Sequence, residues 1–203
     1  GQLKEKNILV SYAPGRNSTC AAEYTVAMML SVIRKIPMAY AALKKGEHTG
    51  DSKYPSNKKN AISGLRRDVT WSLGKNTPYV LYKGNQLHGK TLGIVGYGSI
   101  GQRIAKLCRA FGMKILAYDP YKFKDSDNDV IFTSTLKELA EQADILTVHC
   151  KDTPQTYHLI DKSIFSCMKK SAFFINTSRG AIVDEKALID VLLNNDIAGA
   201  ALD

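Results

Sequence analysis

The chain has 203 residues, of which 44% are hydrophobic, enough to bury a substantial core in one large domain. Its apolar runs stay short of the ~18 residues that a membrane span requires, and its start lacks the long apolar stretch of a secretory signal. The net charge of +9 comes largely from the stretch between Arg34 and Asp68, where nine Lys and Arg residues accompany three acids. These charges are mixed with Gly, Ser and Asn and few aromatics, which favours a solvated arm over a nucleic-acid surface.

The first third of the chain predicts one long helix between two irregular stretches. Residues 7–13 read as a short strand or extended entry, stopped by Pro14-Gly15. A helix from about Thr19 to Lys35 follows, with apolar residues on one face at helical spacing: Ala22, Val26, Met29, Leu30 and Ile33. Any of three residues could cap its start: Asn17, Ser18 or Thr19. The helical pattern weakens from Pro37, and residues 46–88 read as an irregular basic excursion.

From Gly89 onward, strands and helices alternate regularly. The predicted strands are 91–97, 114–119, 130–132, 144–150, 171–178 and 197–203. The predicted helices are 100–111, 135–143, about 162–168, and 185–195. In the first of these helices we expect four residues to face inward: Ile104, Leu107, Cys108 and Phe111. Several strands are apolar on both faces, which is typical of a parallel sheet covered by helices on both sides, so the fold class is doubly wound α/β.

The turn GYGSIG, residues 96–101, lies between a predicted strand and a predicted helix, the context that a dinucleotide-binding GxGxxG needs. Gly96 permits a tight turn, Gly98 allows close approach of a pyrophosphate, and Gly101 lets helix and strand pack closely. Asp119 ends the next strand, 18 residues beyond Gly101. Its carboxylate can accept both hydroxyls of an adenosine ribose and would repel a 2′-phosphate, so we predict NAD as the cofactor rather than NADP.

The stretch FFINTSRGAIVD, residues 173–184, passes from a buried strand directly into polar groups and a cation. Arg179 therefore predicts a site for an anion, because a guanidinium matches a carboxylate with two parallel hydrogen bonds.

Three further stretches carry a family resemblance: GKTLGIVGYGSIGQRIAKLCRAFGMKILAYDPY, INTSRGAIVDEKAL and the closing IAGAALD. Together with APGRNSTCAAEYTVAMML, they resemble the D-isomer-specific 2-hydroxyacid dehydrogenases, which include D-3-phosphoglycerate dehydrogenase. The resemblance implies a Rossmann-type NAD-binding domain at 17–203, with 1–16 a remnant of a truncated substrate domain. It also implies an oxidoreductase that moves a hydride between NAD(H) and a small D-2-hydroxy or 2-keto acid, with D-3-phosphoglycerate as one candidate.

Single positions take roles from the resemblance. Arg179 falls on the family's catalytic arginine, which binds the substrate carboxylate, and Asn17 on a substrate-contacting asparagine. The cofactor positions implied in addition to the glycines and Asp119 are Ser99, Ile100, Cys150, Thr177, Ser178, Arg179 and Asp203. Ser99 stands where many relatives have arginine. His149 matches a pocket or structural position rather than the catalytic histidine.

The resemblance also has gaps and leaves alternatives open. The family's catalytic histidine and glutamate are expected beyond Asp203, so we expect this chain alone to be inactive. Relatives dimerise through their cofactor domains, so a homodimer around the long helix is expected. The scattered cysteines favour reduced thiols, no metal and a cytoplasmic location. An NAD-sensing regulatory protein of the same fold and a nucleic-acid-binding protein remain the alternatives.

Overall fold

The structure is a computed structural model and describes residues 5–6, 8–9, 11, 13, 15–45, 47, 78–121 and 129–203. Most of the basic excursion predicted at 46–88 lies outside the described residues. The predicted entry at 7–13 is described at four positions, and none of these belongs to a strand.

Six parallel strands form a single sheet in the order β3-β2-β1-β4-β5-β6. The strands are β1 Thr91–Val95, β2 Lys114–Tyr118, β3 Ile131–Phe132, β4 Ile145–Val148, β5 Phe173–Asn176 and β6 Gly199–Leu202. In this order, successive strands are added toward one side of β1 as far as β3 and then, from β4 onward, toward the other side, as in the doubly wound dinucleotide-binding fold. The predicted fold class is therefore confirmed, and each of the six predicted strands is present.

Helices cover both faces of the sheet. They are α1 Ser18–Ile33, α2 Ile36–Lys44, α3 Pro78–Leu81, α4 Ser99–Ala110, α5 Leu136–Gln142, α6 Lys162–Phe165 and α7 Glu185–Leu193. One core layer joins α1 and α4 to strand residues such as Leu92 and Ile94, and the other joins α5, α6 and α7 to Val95, Leu146 and Phe174. Strand side chains alternate between these two layers because successive residues of a strand point to opposite faces.

Helix α2 was not predicted, because the helical pattern weakens at Pro37. The structure places Pro37 in the first turn of α2, where its missing N–H has no helical partner to lose. Lys35 adopts a left-handed conformation, with φ +56°, and separates α2 from α1. The expected break after the long helix is therefore real, but a second helix begins directly beyond it.

The inward face predicted for α4 was half right. Ile104 and Cys108 are fully buried, whereas Leu107 and Phe111 are 37% and 41% exposed. The buried stripe of α4 instead runs through the small residues Gly101 and Ala105, which let the helix approach the sheet. Leu107 lies on the flank of that stripe, and Phe111 is the C-cap, where the chain leaves the helix.

Among the described residues, no single helix is both long and apolar enough to cross a membrane. Helices α1 and α2 reach that length only when taken together, and they meet at an angle of 66°.

Candidate functional site

The carboxyl ends of the strands form one edge of the sheet, and the loops that leave it carry almost all the predicted site residues. Gly96 follows β1, Asp119 follows β2 and Cys150 follows β4. The loop after β5 carries Thr177, Ser178 and Arg179, and Asp203 follows β6. Asn17 immediately precedes α1, whose next residue, Ser18, reaches this edge through a 3.0 Å contact between its Oγ and that of Ser99.

The glycine-rich turn is specific to glycine at two positions. Gly96 has φ +90°, and a Cβ there would lie 2.7 Å from the backbone nitrogen of Cys150. A Cβ on Gly101 would lie 2.5 Å from the carbonyl oxygen of Gly96. The first position therefore needs glycine for its backbone conformation and its space, and the second lets α4 start directly against the turn.

Gly98 differs from these two glycines, because a Cβ there would meet no atom of the described residues within 4 Å. It is the N-cap of α4, so Ser99 and Ile100 form the first turn of a twelve-residue helix. Backbone N–H groups in a first turn have no partner within the helix and lie at the positive end of its dipole. The open side of Gly98 is thus a surface against which a phosphate can come close.

The Asp119 carboxylate is oriented by backbone. Its Oδ2 accepts a hydrogen bond from the Tyr97 amide at 2.9 Å, and its Oδ1 accepts one from the Tyr121 amide at 3.0 Å. Each carboxylate oxygen has a further lone pair, so both remain able to accept a hydroxyl. Asp119 therefore ties the second strand to the glycine turn and still presents a negative charge at the edge.

Sequence reasoning missed the structural role of Tyr97, the residue between the first two glycines of the turn. Its side chain is fully buried and packs edge-on against Phe132, with ring centroids 5.3 Å apart. This packing holds the turn against the core, and the Tyr97 amide donates a hydrogen bond to Asp119. A large aromatic residue between two glycines was the signal that could have revealed it.

Asn176 was also missed, and it organises the loop after β5. Its buried side chain donates from Nδ2 to the carbonyl of Arg179 at 3.0 Å, and its Oδ1 accepts from the Ser178 amide at 3.0 Å. The Ser178 hydroxyl donates to the carbonyl of Val148 at 2.7 Å, which joins the loop to β4. The loop is thereby held in one conformation from both sides.

Arg179 is exposed at the tip of this loop. Its Nη1 donates to the carbonyl of Ser178 at 2.7 Å, which restrains the guanidinium. Since a guanidinium carries five N–H groups, four are left for an anion. The arginine at which the sequence predicts an anion site is thus exposed at the same edge as the glycine turn.

Helix α1 contacts the ends of β5 and β6, two neighbouring strands of the sheet. Thr25 Oγ1 lies 2.7 Å from Thr177 Oγ1, and the Tyr24 hydroxyl donates to Asp203 Oδ1 at 3.4 Å. Thr177 and Asp203 lie side by side, because Asn176 is paired with Leu202 and the Asp203 amide donates to the Asn176 carbonyl at 3.0 Å.

Two titratable groups at the end of β4 are held neutral. Burial, with smaller contributions from the charges of Asp119 and Asp152, raises the pKa of the Cys150 thiol to about 11. Burial also lowers the pKa of His149 to about 4, and its Nε2 lies 2.8 Å from the Thr147 hydroxyl. A neutral histidine bonded to its own strand fits the structural role expected for His149.

The comparisons with known proteins agree on one family. Residues 65–203 match the family model described as the D-isomer specific 2-hydroxyacid dehydrogenase, NAD binding domain. The D-3-phosphoglycerate dehydrogenase of Methanocaldococcus jannaschii is 38% identical over 201 residues, covering 98% of this chain and 33% of that protein. The glyoxylate reductase of Thermofilum pendens is 37% identical over 205 residues, covering all of this chain and 53% of that protein.

Solved structures give the same result. The D-lactate dehydrogenase of Aquifex aeolicus, solved with NAD and lactic acid, superimposes with a TM-score of 0.75 at 30% identity, covering all of this chain and 52% of that one. The chain therefore spans between a third and just over half of the length of these relatives.

Proposed function

The chain belongs to the D-isomer-specific 2-hydroxyacid dehydrogenases, as an NAD-binding domain, and on this premise we propose that it serves an enzyme of that class. The proposed reaction transfers a hydride between NAD(H) and a small D-2-hydroxy acid or the corresponding 2-keto acid. The observation that carries the proposal is the set of contacts around the glycine turn, in which Asp119 accepts two backbone amides and keeps its charge. The relatives named above are all dehydrogenases or reductases, so the regulatory and nucleic-acid alternatives receive no support from them.

The residues at the edge suit the parts of an NAD molecule. The first turn of α4 and the open face of Gly98 suit the pyrophosphate, and the Asp119 carboxylate suits the adenosine ribose. Thr177, Ser178 and Asp203 are proposed to contact the nicotinamide half, with Cys150 lining the pocket between the two halves. When bound, the cofactor supplies or accepts the hydride.

The chain's own contribution to the chemistry is proposed to be substrate orientation. The free N–H groups of Arg179 would bind the substrate carboxylate through two parallel bonds, and Asn17 would contact the same molecule. Because Arg179 is already bonded to the Ser178 carbonyl, little side-chain freedom is lost when the acid binds. His149 is not proposed as the group that moves the proton of the substrate hydroxyl, since its Nε2 faces Thr147 and burial lowers its pKa to about 4.

Calorimetry with NADH and NADPH tests the cofactor assignment. We expect NADH to bind more tightly, because a 2′-phosphate would face the Asp119 carboxylate. Asp119→Ala should weaken NADH binding by about 1–3 kcal/mol, since it leaves hydroxyls and amides unpaired. The control is Asp190→Ala, which removes an exposed acid on α7. Equal affinity of the wild-type protein for both cofactors would remove Asp119 from this role.

A homodimer is also proposed, but on the surface of α2 rather than around the long helix α1. Much of the apolar stripe of α1 is used inside the fold, with Ala22, Val26 and Met29 buried. Helix α2 instead exposes large apolar side chains on one face at helical spacing: Ile36, Tyr40 and Leu43. Light scattering of the wild-type protein and Tyr40→Glu should distinguish dimer from monomer, with Leu193→Glu on exposed α7 as the control. A cytoplasmic location is proposed because all four cysteines are free.

A further inference from the structure

Thr25 places a fully buried hydroxyl between α1 and the end of β5. Its Oγ1 lies 2.7 Å from the carbonyl oxygen of Ala21, one turn earlier, and 2.7 Å from the hydroxyl oxygen of Thr177. Three oxygens are thus joined in a row, from the helix backbone to the site.

The direction of the hydrogen bonds in this row follows from counting protons. The Ala21 carbonyl can only accept, so the single hydroxyl proton of Thr25 must point toward it. In the opposite arrangement, two sets of lone pairs would face each other across 2.7 Å inside a low-dielectric core. Thr177 therefore donates its own proton to Thr25, and the row runs from Thr177 through Thr25 to Ala21.

This direction leaves the Thr177 hydroxyl with only lone pairs for a ligand. Its neighbour Asp203 ends in a carboxylate, which also only accepts, and that carboxylate receives the long bond from Tyr24. Tyr24 and Thr25 are consecutive residues of α1, so one turn of this helix contacts both acceptors. The ends of β5 and β6 thus present two adjacent acceptors.

We propose that Thr25 is a positioning residue that fixes Thr177 as a hydrogen-bond acceptor and makes this part of the site selective for a ligand group with two N–H donors. On the proposed function, on which this inference rests, that group is the primary carboxamide of the nicotinamide. Thr25 itself touches no ligand and acts only through Thr177.

Cofactor analogues test this without any turnover. Calorimetry compares NADH with its reduced 3-acetylpyridine analogue, whose acetyl group has the carbonyl but no N–H. In Thr25→Val the shape is kept and the hydroxyl is lost, so Thr177 is free to donate to the acetyl carbonyl. We expect the preference for NADH over the analogue to fall about five- to tenfold, the usual effect of one hydrogen bond. Thr25→Ser keeps the hydroxyl and should keep the preference.

ADP-ribose, which has no nicotinamide, separates positioning from general damage to the fold. Its affinity should be the same in the wild-type protein and in Thr25→Val. An equal loss of affinity for ADP-ribose and NADH in Thr25→Val would overturn the inference, and so would an unchanged preference for NADH over the analogue.

A second variant keeps the inference testable if Thr25→Val does not fold. Thr177→Val removes the acceptor itself, so it must lower the same preference, and an unchanged preference would again overturn the inference. If the wild-type protein bound neither NADH nor ADP-ribose, the proposed function would fail together with this inference. Binding of NADH with no change in either variant would overturn the inference alone.

Discussion

The two edges of the sheet use the same kind of residue, an aspartate beside a strand, in opposite ways. At the amino edge, Asp144 accepts the Thr91 amide at 2.9 Å and pairs with Lys169 at 3.0 Å. At the carboxyl edge, Asp119 accepts two backbone amides, and among the described residues no cation forms a salt bridge with it.

The difference shows how a charge is kept available for a ligand. Lys169 pairs with Asp144 and also donates to the Gln142 carbonyl, so the charge of Asp144 is balanced by a group of the protein itself. Backbone amides orient Asp119 without supplying a full opposite charge, so its carboxylate still attracts hydroxyls and repels phosphates. The same holds for Arg179, which a neutral carbonyl restrains.

The largest expected effect comes from two glycines of the carboxyl edge that differ in backbone conformation and in the space around them. Gly96→Ala should lower the free energy of unfolding by about 3–4 kcal/mol, because it combines a left-handed backbone with overlap against the Cys150 backbone. Gly98→Ala has open space and a negative φ, so its stability should stay within about 1 kcal/mol of the wild type. Urea denaturation measures both.

The Gly98→Ala variant should also differ from the wild type in its affinity for NADH. Gly98→Ala should weaken NADH binding at least about tenfold, or about 1.4 kcal/mol, because its new methyl group occupies the space proposed for the pyrophosphate. If Gly98→Ala bound NADH normally, the phosphate would not approach the turn from that side.

The second effect concerns Arg179 and is measured in the proposed dehydrogenase. Arg179→Lys keeps the charge but loses the planar fork, so catalytic efficiency should fall by about 3 kcal/mol, more than a hundredfold. The matched control is Arg34→Lys, at the exposed C-cap of α1, next to the amino edge, which should leave the efficiency unchanged. The assay follows NADH oxidation with glyoxylate, pyruvate, hydroxypyruvate and 3-phosphohydroxypyruvate.

Two results would contradict this assignment. An unimpaired Arg179→Lys enzyme would mean that the anion bound by this arginine is not the substrate carboxylate. Turnover by the 203-residue chain alone would mean that a group within it moves the proton, which our proposal does not provide. We expect no measurable turnover from that chain.

The sequence alone was sufficient to predict those parts of the site whose contacts join residues close together in the chain. The glycine turn and Asp119 were identified because strand, turn, helix and acid follow one another within about thirty residues, and the backbone contact between Tyr97 and Asp119 agrees with that interpretation. The roles of Arg179, Asn17 and the other site residues remain proposals, although the structure brings them to one edge.

Contacts between distant residues could not be predicted. Thr25 and Thr177 are separated by 152 positions, and nothing around either one marks a hydroxyl pair. Asn176 looked like the end of a strand, and only the folded loop shows both ends of its amide bonded. Leu107 was wrongly expected to face inward because the sequence pattern was traced through large apolar residues. In the structure, the buried face of α4 includes the small residues Gly101 and Ala105 instead.

The smallest expected effect tests the ion pair of Asp144 at the amino edge. Burial alone would raise the pKa of Asp144, but the hydrogen bond from Thr91 and the hydrogen bond and charge of Lys169 outweigh it and lower the pKa below its ordinary value of 3.8. A lowered native pKa contributes stability that is fully present above the pKa of the unfolded chain. That contribution is lost as the pH falls through the native pKa.

Asp144→Asn should therefore lower the free energy of unfolding by about 1 kcal/mol near neutral pH, a modest value because the pair is partly exposed. The deficit relative to the wild type should shrink as the pH falls below about 4, where the wild-type carboxyl also becomes neutral. Urea denaturation across this pH range measures it, with Asp190→Asn on α7 as the control. NADH affinity should not change, because Asp144 lies at the opposite edge from the cofactor residues. A deficit that stayed constant with pH would show that it comes from the packing of the new amide rather than from the lost charge of Asp144.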